Sequence, residues 1–188
     1  GSMLSASQVE DYATCPLRYY LRYVLGLEPY EEPESVAELS ALDRGTLYHR
    51  ILERFYRRCD EVGLFPLQTA QLERYTRLLD EAAAEEFEKA EREFSVGHPL
   101  MWQLQQEQAR SDLTQFLQAE LERGGSWRPT GFEVWFEDGS AAVSLEGADV
   151  RFRGRIDRID VNRQETRARV TDYKTGSLRG YKKNRLQG

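Results

Sequence analysis

The sequence lacks the features that mark secreted and membrane proteins. It has only two cysteines, Cys15 and Cys59, which are too few for a disulfide framework and lack the paired spacing of a zinc site. It also has no apolar run long enough for a membrane span or a secretory signal. We therefore expect a cytoplasmic protein with no membrane partner. Its 188 residues suit a single domain, residues 1–188, in which residues 1–3 (Gly-Ser-Met) resemble a cloning scar.

Basic residues are outnumbered in most of the chain and concentrated near its end. Residues 151–188 carry 12 lysines and arginines against 4 aspartates and glutamates, a net charge of +8. Because the whole chain has a formal net charge of −6, residues 1–150 carry −14. A local positive field can gather phosphate-bearing ligands whatever the overall charge, but a solvated, arginine-rich hairpin would have the same composition.

Helical periodicity dominates residues 4–125. Two short amphipathic helices are predicted first, with Ser7 and Glu10 at capping-box spacing and Pro16 in a position to begin the second helix. Three longer helices are predicted at residues 39–62, 71–94 and 98–123.

From Gly131 the apolar period changes to two, which predicts strands. In the segment Gly-Phe-Glu-Val-Trp-Phe-Glu, Phe132 and Phe136 share one face while Glu133 and Trp135 share the other. Three more strand segments follow at hairpin-like spacing, with predicted turns at residues 138–139 and 162–165. The fold class is therefore α/β with an α+β-like order: a helical amino-terminal section (residues 4–125), then an antiparallel-looking run of strands (residues 126–188).

An acid and a lysine interrupt the last predicted strand. Because alternate residues of a strand point the same way, Asp172 and Lys174 project side by side. Asp157 lies in the preceding strand, and pairing of the two strands through the turn at residues 162–165 would allow Asp157 and Asp172 to lie close together. Two adjacent carboxylates repel unless a proton or a cation lies between them, and Mg²⁺ or Mn²⁺ suits oxygen ligands. The alternative is an exposed Asp–Lys ion pair on a strand face.

Three other side chains could take part in such a site. Lys174 beside a metal would be a fixed positive charge that orients a water or stabilises charge on a phosphate. His49 faces inward on its predicted helix, either as a ligand or as a core histidine, and Gly45 one turn earlier leaves space above it. Glu133 could join the acids, although a solvated strand glutamate is the simpler interpretation.

Five segments, taken together and in this order, resemble the PD-(D/E)xK nuclease superfamily. Within that superfamily the resemblance is to RecB/AddB-type nuclease domains of helicase–nuclease complexes and to the related CRISPR adaptation nucleases. The segments are LSASQVEDYATCPLRYYLRY (residues 4–23), RGTLYHRILE (44–53), GFEVWFE (131–137), GRIDRID (154–160) and DYKTG (172–176). Each motif is weak alone, and residues 60–125 match no motif of the family, but the ordered set is specific.

The resemblance implies a restriction-endonuclease-like core, with a small mixed sheet flanked by helices within residues 126–188. It also implies a metal-dependent deoxyribonuclease that acts at or near single-stranded DNA ends. It implies that Mg²⁺ or Mn²⁺ is bound by His49, Asp157, Asp172 and the Tyr173 carbonyl, while Lys174 positions or activates the attacking water. Glu133 is an accessory candidate. DNA contacts are expected from the basic end of the chain, namely Gln187, Lys182, Lys183 and Arg185. The other candidates for phosphate contacts are arginines of the preceding strand, several of which could simply coat a strand face: Arg151, Arg153, Arg155 and Arg158. A helicase subunit or domain is the expected protein partner.

The resemblance also bears on an iron–sulfur cluster. Cys15 matches the first cluster ligand of many relatives, but the other three cysteines should follow Gln187, where this chain stops. Cys59 fits no ligand position. One cysteine cannot hold a 4Fe-4S cluster, so none is possible in this chain alone. We expect the chain to be truncated at its carboxyl end.

Two other interpretations stay open on the sequence alone. A non-catalytic module, inactive because it is truncated, could bind DNA ends or associate with a helicase. Alternatively, the acids and arginines could form structural ion-pair ladders across a hairpin. The presence of both aspartates and the lysine favours the nuclease.

Overall fold

The computed structural model describes residues 3–27, 38–145, 148–164 and 166–174. The chain forms two compact units. The sheet unit comprises Gly1–Pro33 and Pro129–Asp172, and the helical unit comprises Glu34–Arg128 and Tyr173–Gly188. The chain therefore passes from the sheet unit to the helical unit between Asp172 and Tyr173, inside the acid–lysine segment.

A mixed sheet of four strands, counted over the described residues, forms the sheet unit. The strands are β1 (Met3–Ser5), β2 (Arg128–Leu145), β3 (Ala148–Asn162) and β4 (Arg167–Thr171). Strand β3 is central: β1 pairs with it in parallel, β4 pairs with it antiparallel, and β2 is its other neighbour. The predicted mixed sheet is confirmed, but one of its strands comes from the opening residues of the chain. A parallel partner so distant in sequence leaves no local signal.

The predicted turn at residues 138–139 is wrong. Strand β2 begins three residues before Gly131 and continues through Asp138 and Gly139 to Leu145. An Asp-Gly pair is a local turn signal, whereas the 15 residues of β3 offer β2 a long hydrogen-bonding partner. Pairing with the central strand therefore overrides the local preference.

The two sides of the sheet carry different chemistry. A Cβ atom on Gly154 of β3 would lie 2.8 Å from the ring of Phe136 of β2, so glycine lets this ring pack closely on the strand. On the opposite side, Arg155 of β3 contacts Trp135 of β2, with 5.6 Å from guanidinium carbon to ring centre. We call these the Phe136 side and the Trp135 side. This alternation agrees with the period-two pattern of the sequence.

Helix α1 (Ala6–Thr14) packs on the sheet. Its capping box is formed by Ser5 and Gln8: Gln8 N donates to Ser5 Oγ at 3.2 Å, and Ser5 N donates to Gln8 Oε1 at 2.7 Å. The predicted box at Ser7 and Glu10 is therefore two residues late, because both pairs have the required spacing. Helix α2 (Pro16–Tyr19) begins at its proline as predicted and continues into a π-helical turn, Tyr20–Val24.

Three long helices dominate the helical unit, close to their predicted limits. They are α3 (Ala41–Glu61), α4 (Leu72–Glu93) and α5 (Pro99–Arg123). Apolar side chains at helical spacing form the core, including Ile51 and Phe55 of α3 and Leu79 of α4. None of the helices in the described part of the chain is both long and apolar enough to cross a bilayer.

Several arginines of α3 lie against glutamates of α4. The ion pairs are Arg50–Glu93, Arg54–Glu85, Arg54–Glu86 and Arg58–Glu85. Glu86 is buried, so its partner Arg54 also compensates for lost hydration. These guanidinium groups therefore have carboxylate partners within the helical unit.

An ion cluster is buried on the Phe136 side. Arg158 and Asp160 of β3 are each 1% exposed, and Arg158 Nε lies 2.9 Å from Asp160 Oδ1. Arg169, which faces Asp160 in the β3–β4 register, donates to Asp160 Oδ2 from Nε at 3.0 Å and from Nη2 at 2.7 Å. One carboxylate thus contacts an arginine on each strand, and a one-residue slip of β4 along β3 would break its contact with Arg169.

Removal of that carboxylate should destabilise the fold strongly. We expect Asp160→Ala to lower the free energy of unfolding by about 3–5 kcal/mol, because it leaves a buried arginine and a half-buried one without this partner. Urea denaturation measures the change. The control is Asp60→Ala, which removes an exposed ion pair with Arg128 and should cost less than about 1 kcal/mol. Equal losses in the two variants would contradict a structural role for the cluster.

Candidate functional site

Two carboxylates lie close together in the sheet unit. Carboxylate oxygens of Glu133 on β2 and Asp157 on β3 are within 4.8 Å of each other. Asp157 is 7% exposed and the side chain of Glu133 is 19% exposed. Like charges at this distance repel more strongly when water is partly excluded. The pair is therefore suited to a shared cation or proton.

The backbone of Glu133 has an uncommon conformation. Its φ angle is 51°, in the left-handed region that non-glycine residues seldom occupy. Such a conformation costs on the order of 1–3 kcal/mol and tends to occur at functional sites. The carboxylate is held by Arg155, whose Nε lies 2.6 Å from Glu133 Oε2. Glu133 is therefore half-buried and ion-paired, whereas its spacing in the sequence favoured a solvated strand residue. The contact depends on how β2 pairs with β3, which leaves no local signal in the sequence.

Asp172 follows the strand that pairs with β3. The last β3–β4 pair is Arg158 with Thr171, and one further step of this antiparallel register sets Asp172 opposite Asp157. Exposure alternates along this segment, with Asp172 and Lys174 exposed and Tyr173 half-buried between them. The register, which the sequence left undetermined, favours the expected proximity of the two aspartates.

His49 belongs to the helical unit, on α3. Its Nε2 lies 3.2 Å from the carbonyl oxygen of Tyr173. The tyrosine ring stands edge-on to the imidazole, at 5.4 Å between centroids, and edge-on to Phe116 of α5 at 5.7 Å. The aromatic contacts therefore hold Tyr173 with its carbonyl beside the histidine.

Tyr173, whose carbonyl contacts His49, is the residue that follows Asp172 in the chain. Asp172 is the last residue of the sheet unit, and a peptide bond joins it to Tyr173. Consecutive Cα atoms are about 3.8 Å apart. Asp172 and the carbonyl that meets His49 are therefore neighbours by covalent structure.

Each unit by itself contains groups that a divalent cation accepts as ligands. These are the carboxylates of Glu133 and Asp157 in the sheet unit and, separately, the imidazole of His49 in the helical unit. Around Mg²⁺, with ligands at about 2.0–2.1 Å, opposite ligands are about 4.2 Å apart and adjacent ones about 3 Å apart. The 4.8 Å limit on the acid pair includes both spacings, and the 3.2 Å between His49 Nε2 and the Tyr173 carbonyl oxygen is close to the adjacent one.

The residues predicted to contact nucleic acid fall into three groups: those outside the described part of the chain, a buried arginine and exposed arginines. Gln187, Lys182, Lys183 and Arg185 lie outside the described residues. Arg158, one of the arginines considered for phosphate contacts, is buried in the ion cluster with Asp160 and is unavailable to a ligand. On the Trp135 side, by contrast, the three arginines of β3 are exposed: Arg151, Arg153 and Arg155.

The two cysteines differ in environment. Cys59 is buried in α3, and burial raises the pKa of its thiol to about 12. A thiol that stays protonated near neutral pH is a poor metal ligand. Cys15 is half-buried, immediately before α2.

Comparison with known proteins identifies relatives. The model of the PD-(D/E)XK nuclease superfamily matches residues 3–188. One ATP-dependent helicase/deoxyribonuclease subunit, from Moorella thermoacetica, is 32% identical over 190 residues, covering 92% of this chain and 15% of that protein. The protein of the same name from Ruminiclostridium cellulolyticum is 30% identical over 185 residues, with the same coverage of 92% and 15%. This chain thus spans about 15% of the length of these curated relatives.

Neutralising one acid of the pair should stabilise the metal-free protein. We expect Asp157→Asn to raise the melting temperature in EDTA by about 2–4 °C, equivalent to about 1 kcal/mol, because repulsion from Glu133 is relieved. Differential scanning fluorimetry measures the shift. Asp80→Asn is the control, since Asp80 is exposed and pairs with Arg110 at 3.1 Å; it should give no stabilisation. A lower melting temperature for Asp157→Asn would show that repulsion does not dominate there.

Proposed function

The chain belongs to the PD-(D/E)XK nuclease superfamily, and we propose that it hydrolyses DNA phosphodiester bonds at or near single-stranded ends with the help of Mg²⁺ or Mn²⁺. The observation that supports this most directly is the pair of carboxylates, Glu133 and Asp157, held within 4.8 Å in a largely buried position. Two carboxylates this close repel each other when no cation is bound, and together they can coordinate a cation when one is present.

In this proposal five groups hold the ion. They are the side chains of His49, Glu133, Asp157 and Asp172 and the carbonyl oxygen of Tyr173. The support comes from each unit separately: the acid pair and the β3–β4 register in the sheet unit, and the contact of His49 with the Tyr173 carbonyl in the helical unit.

The chemistry divides between the ion and Lys174. When bound, a divalent cation polarises a phosphoryl oxygen and makes a water molecule more acidic. The ammonium group of Lys174 provides three hydrogen-bond donors and a compact positive charge. It would orient the attacking water and stabilise the negative charge that develops on the phosphate oxygens. Its exposure leaves it accessible to a polymeric substrate.

Arg155 has a positioning role in this scheme. Its ion pair with Glu133 holds the carboxylate in place and offsets part of the repulsion from Asp157. The acid pair can then persist before the metal binds, at a smaller energetic cost. Arg155 acts through Glu133 and is not itself a catalytic residue.

The partner and the location are parts of the same proposal. The curated relatives are named as ATP-dependent helicase/deoxyribonuclease subunits. We infer that this domain works beside a helicase, which would supply unwound strands, and that it acts in the cytoplasm as expected above.

Lys174 provides the sharpest test. We expect Mn²⁺ or Mg²⁺ to raise the melting temperature of the wild type and of Lys174→Ala alike, because the ammonium is not a metal ligand. Cleavage of a labelled single-stranded oligonucleotide should fall by at least about 100-fold in the variant, the usual scale for loss of such a group. Gel electrophoresis of the products measures the rate.

Arg163→Ala is the matched control, because it removes one exposed positive charge in the turn between β3 and β4. It should leave the cleavage rate unchanged. Wild-type cleavage by Lys174→Ala would refute the proposed mechanism. Metal-independent DNA binding by the wild type, with no cleavage in Mn²⁺, would instead identify a non-catalytic DNA-binding module.

A further inference from the structure

Trp135 is an exposed aromatic residue beside the acid pair. It is 65% exposed, whereas Trp102 is 5% exposed and Trp127 is half-buried. An isolated exposed apolar side chain is common and needs no explanation. The surroundings of Trp135 make it informative.

Arg155 joins Trp135 to the acids. Its guanidinium carbon lies 5.6 Å from the centre of the indole ring, and its Nε lies 2.6 Å from Glu133 Oε2. One arginine therefore contacts both residues, so the ring and the Glu133 carboxylate lie on the same side of the sheet. An aromatic face near a phosphodiester-cleaving site is a natural platform for a nucleobase.

A row of arginines leads along β3 to Asp157. Arg151, Arg153 and Arg155 occupy alternate positions on the Trp135 side, and Asp157 is the next residue of that face. Alternate residues of a strand are about 6.7 Å apart, so the row forms a straight line of positive charge. The arginines are exposed and Asp157 is buried. The row of positive charge, which would attract phosphates, therefore leads to Asp157, the acid proposed to take part in cleaving the phosphodiester bond.

We propose that Trp135 and this arginine row form a binding track for single-stranded DNA. One nucleobase stacks on Trp135, while Arg151 and Arg153 contact phosphates of the same strand. Duplex bases are already stacked inside the helix, whereas an unpaired base offers its face to the indole. The track therefore provides the preference for single strands. This inference rests on the proposed function, because it concerns the substrate of the same site.

The test measures binding without cleavage. Fluorescence anisotropy in EDTA compares a labelled oligothymidylate of about 12 nucleotides with a duplex of the same length. We expect Trp135→Ala to weaken binding of the single strand by about 5- to 150-fold, as for loss of one stacked base, and binding of the duplex by less than about twofold. Trp135→Phe should retain single-strand binding within about threefold, and Trp135→Leu should lose it as Trp135→Ala does.

The arginine row has a separate readout. Arg153→Ala should reduce the slope of log affinity against log salt by about 0.7 for the single strand, as expected for one lost phosphate contact. The control, Arg163→Ala, removes the same charge outside the track and should leave the slope unchanged. Equal slopes for wild type and Arg153→Ala would overturn the assignment of phosphates to this row.

Other outcomes would overturn the role of Trp135. These are unchanged single-strand affinity in Trp135→Ala, an equal loss for single strand and duplex, or full binding by Trp135→Leu. Quenching of tryptophan fluorescence by oligothymidylate provides a check that needs no destabilising change: it should be present in the wild type and largely lost in Trp135→Phe. Because these measurements exclude metal, their failure is distinguishable from failure of the nuclease proposal, which is tested by cleavage in Mn²⁺.

Discussion

The sheet unit has to hold Glu133 and Asp157 close together against their mutual repulsion. Two carboxylates within 4.8 Å, one of them buried, are unfavourable unless the surrounding structure holds them. Glu133 is held by a left-handed backbone conformation and by Arg155, and Asp157 by the central strand of the sheet. Local features that cost stability therefore meet at one place, as is typical where function, and not folding, selects the residues.

The opposite side of the same strand fixes how β3 and β4 pair. Arg158 and Asp160 point away from the acid pair and, with Arg169, connect β3 to β4 through buried ion pairs. The contact between Arg169 and Asp160 favours the register that sets Asp172 opposite Asp157. Buried ion pairs often add little net stability compared with apolar residues, but they discriminate strongly against a shifted register. Specificity of strand pairing is what a site built across two strands requires.

How well each helix or strand could be predicted depends on whether the contacts that form it are local or distant in the sequence. Helices α3, α4 and α5 were predicted nearly to their ends, because helical periodicity and caps are local. The pairing of β1 with β3 and the continuation of β2 through Gly139 depend on distant partners and were missed. Arg158 was grouped with the exposed arginines because composition does not reveal which side of a strand is buried.

The distribution of charge explains how an acidic protein could bind a polyanion. Net charge is −6, yet the relevant field is local. Arginines of α3 lie against glutamates of α4, so their fields are largely cancelled within the helical unit. On the Trp135 side of the sheet, Arg151 and Arg153 instead follow one another along a strand that leads to Asp157. Position relative to carboxylates, more than the number of arginines, therefore decides how far the positive field of each arginine is cancelled.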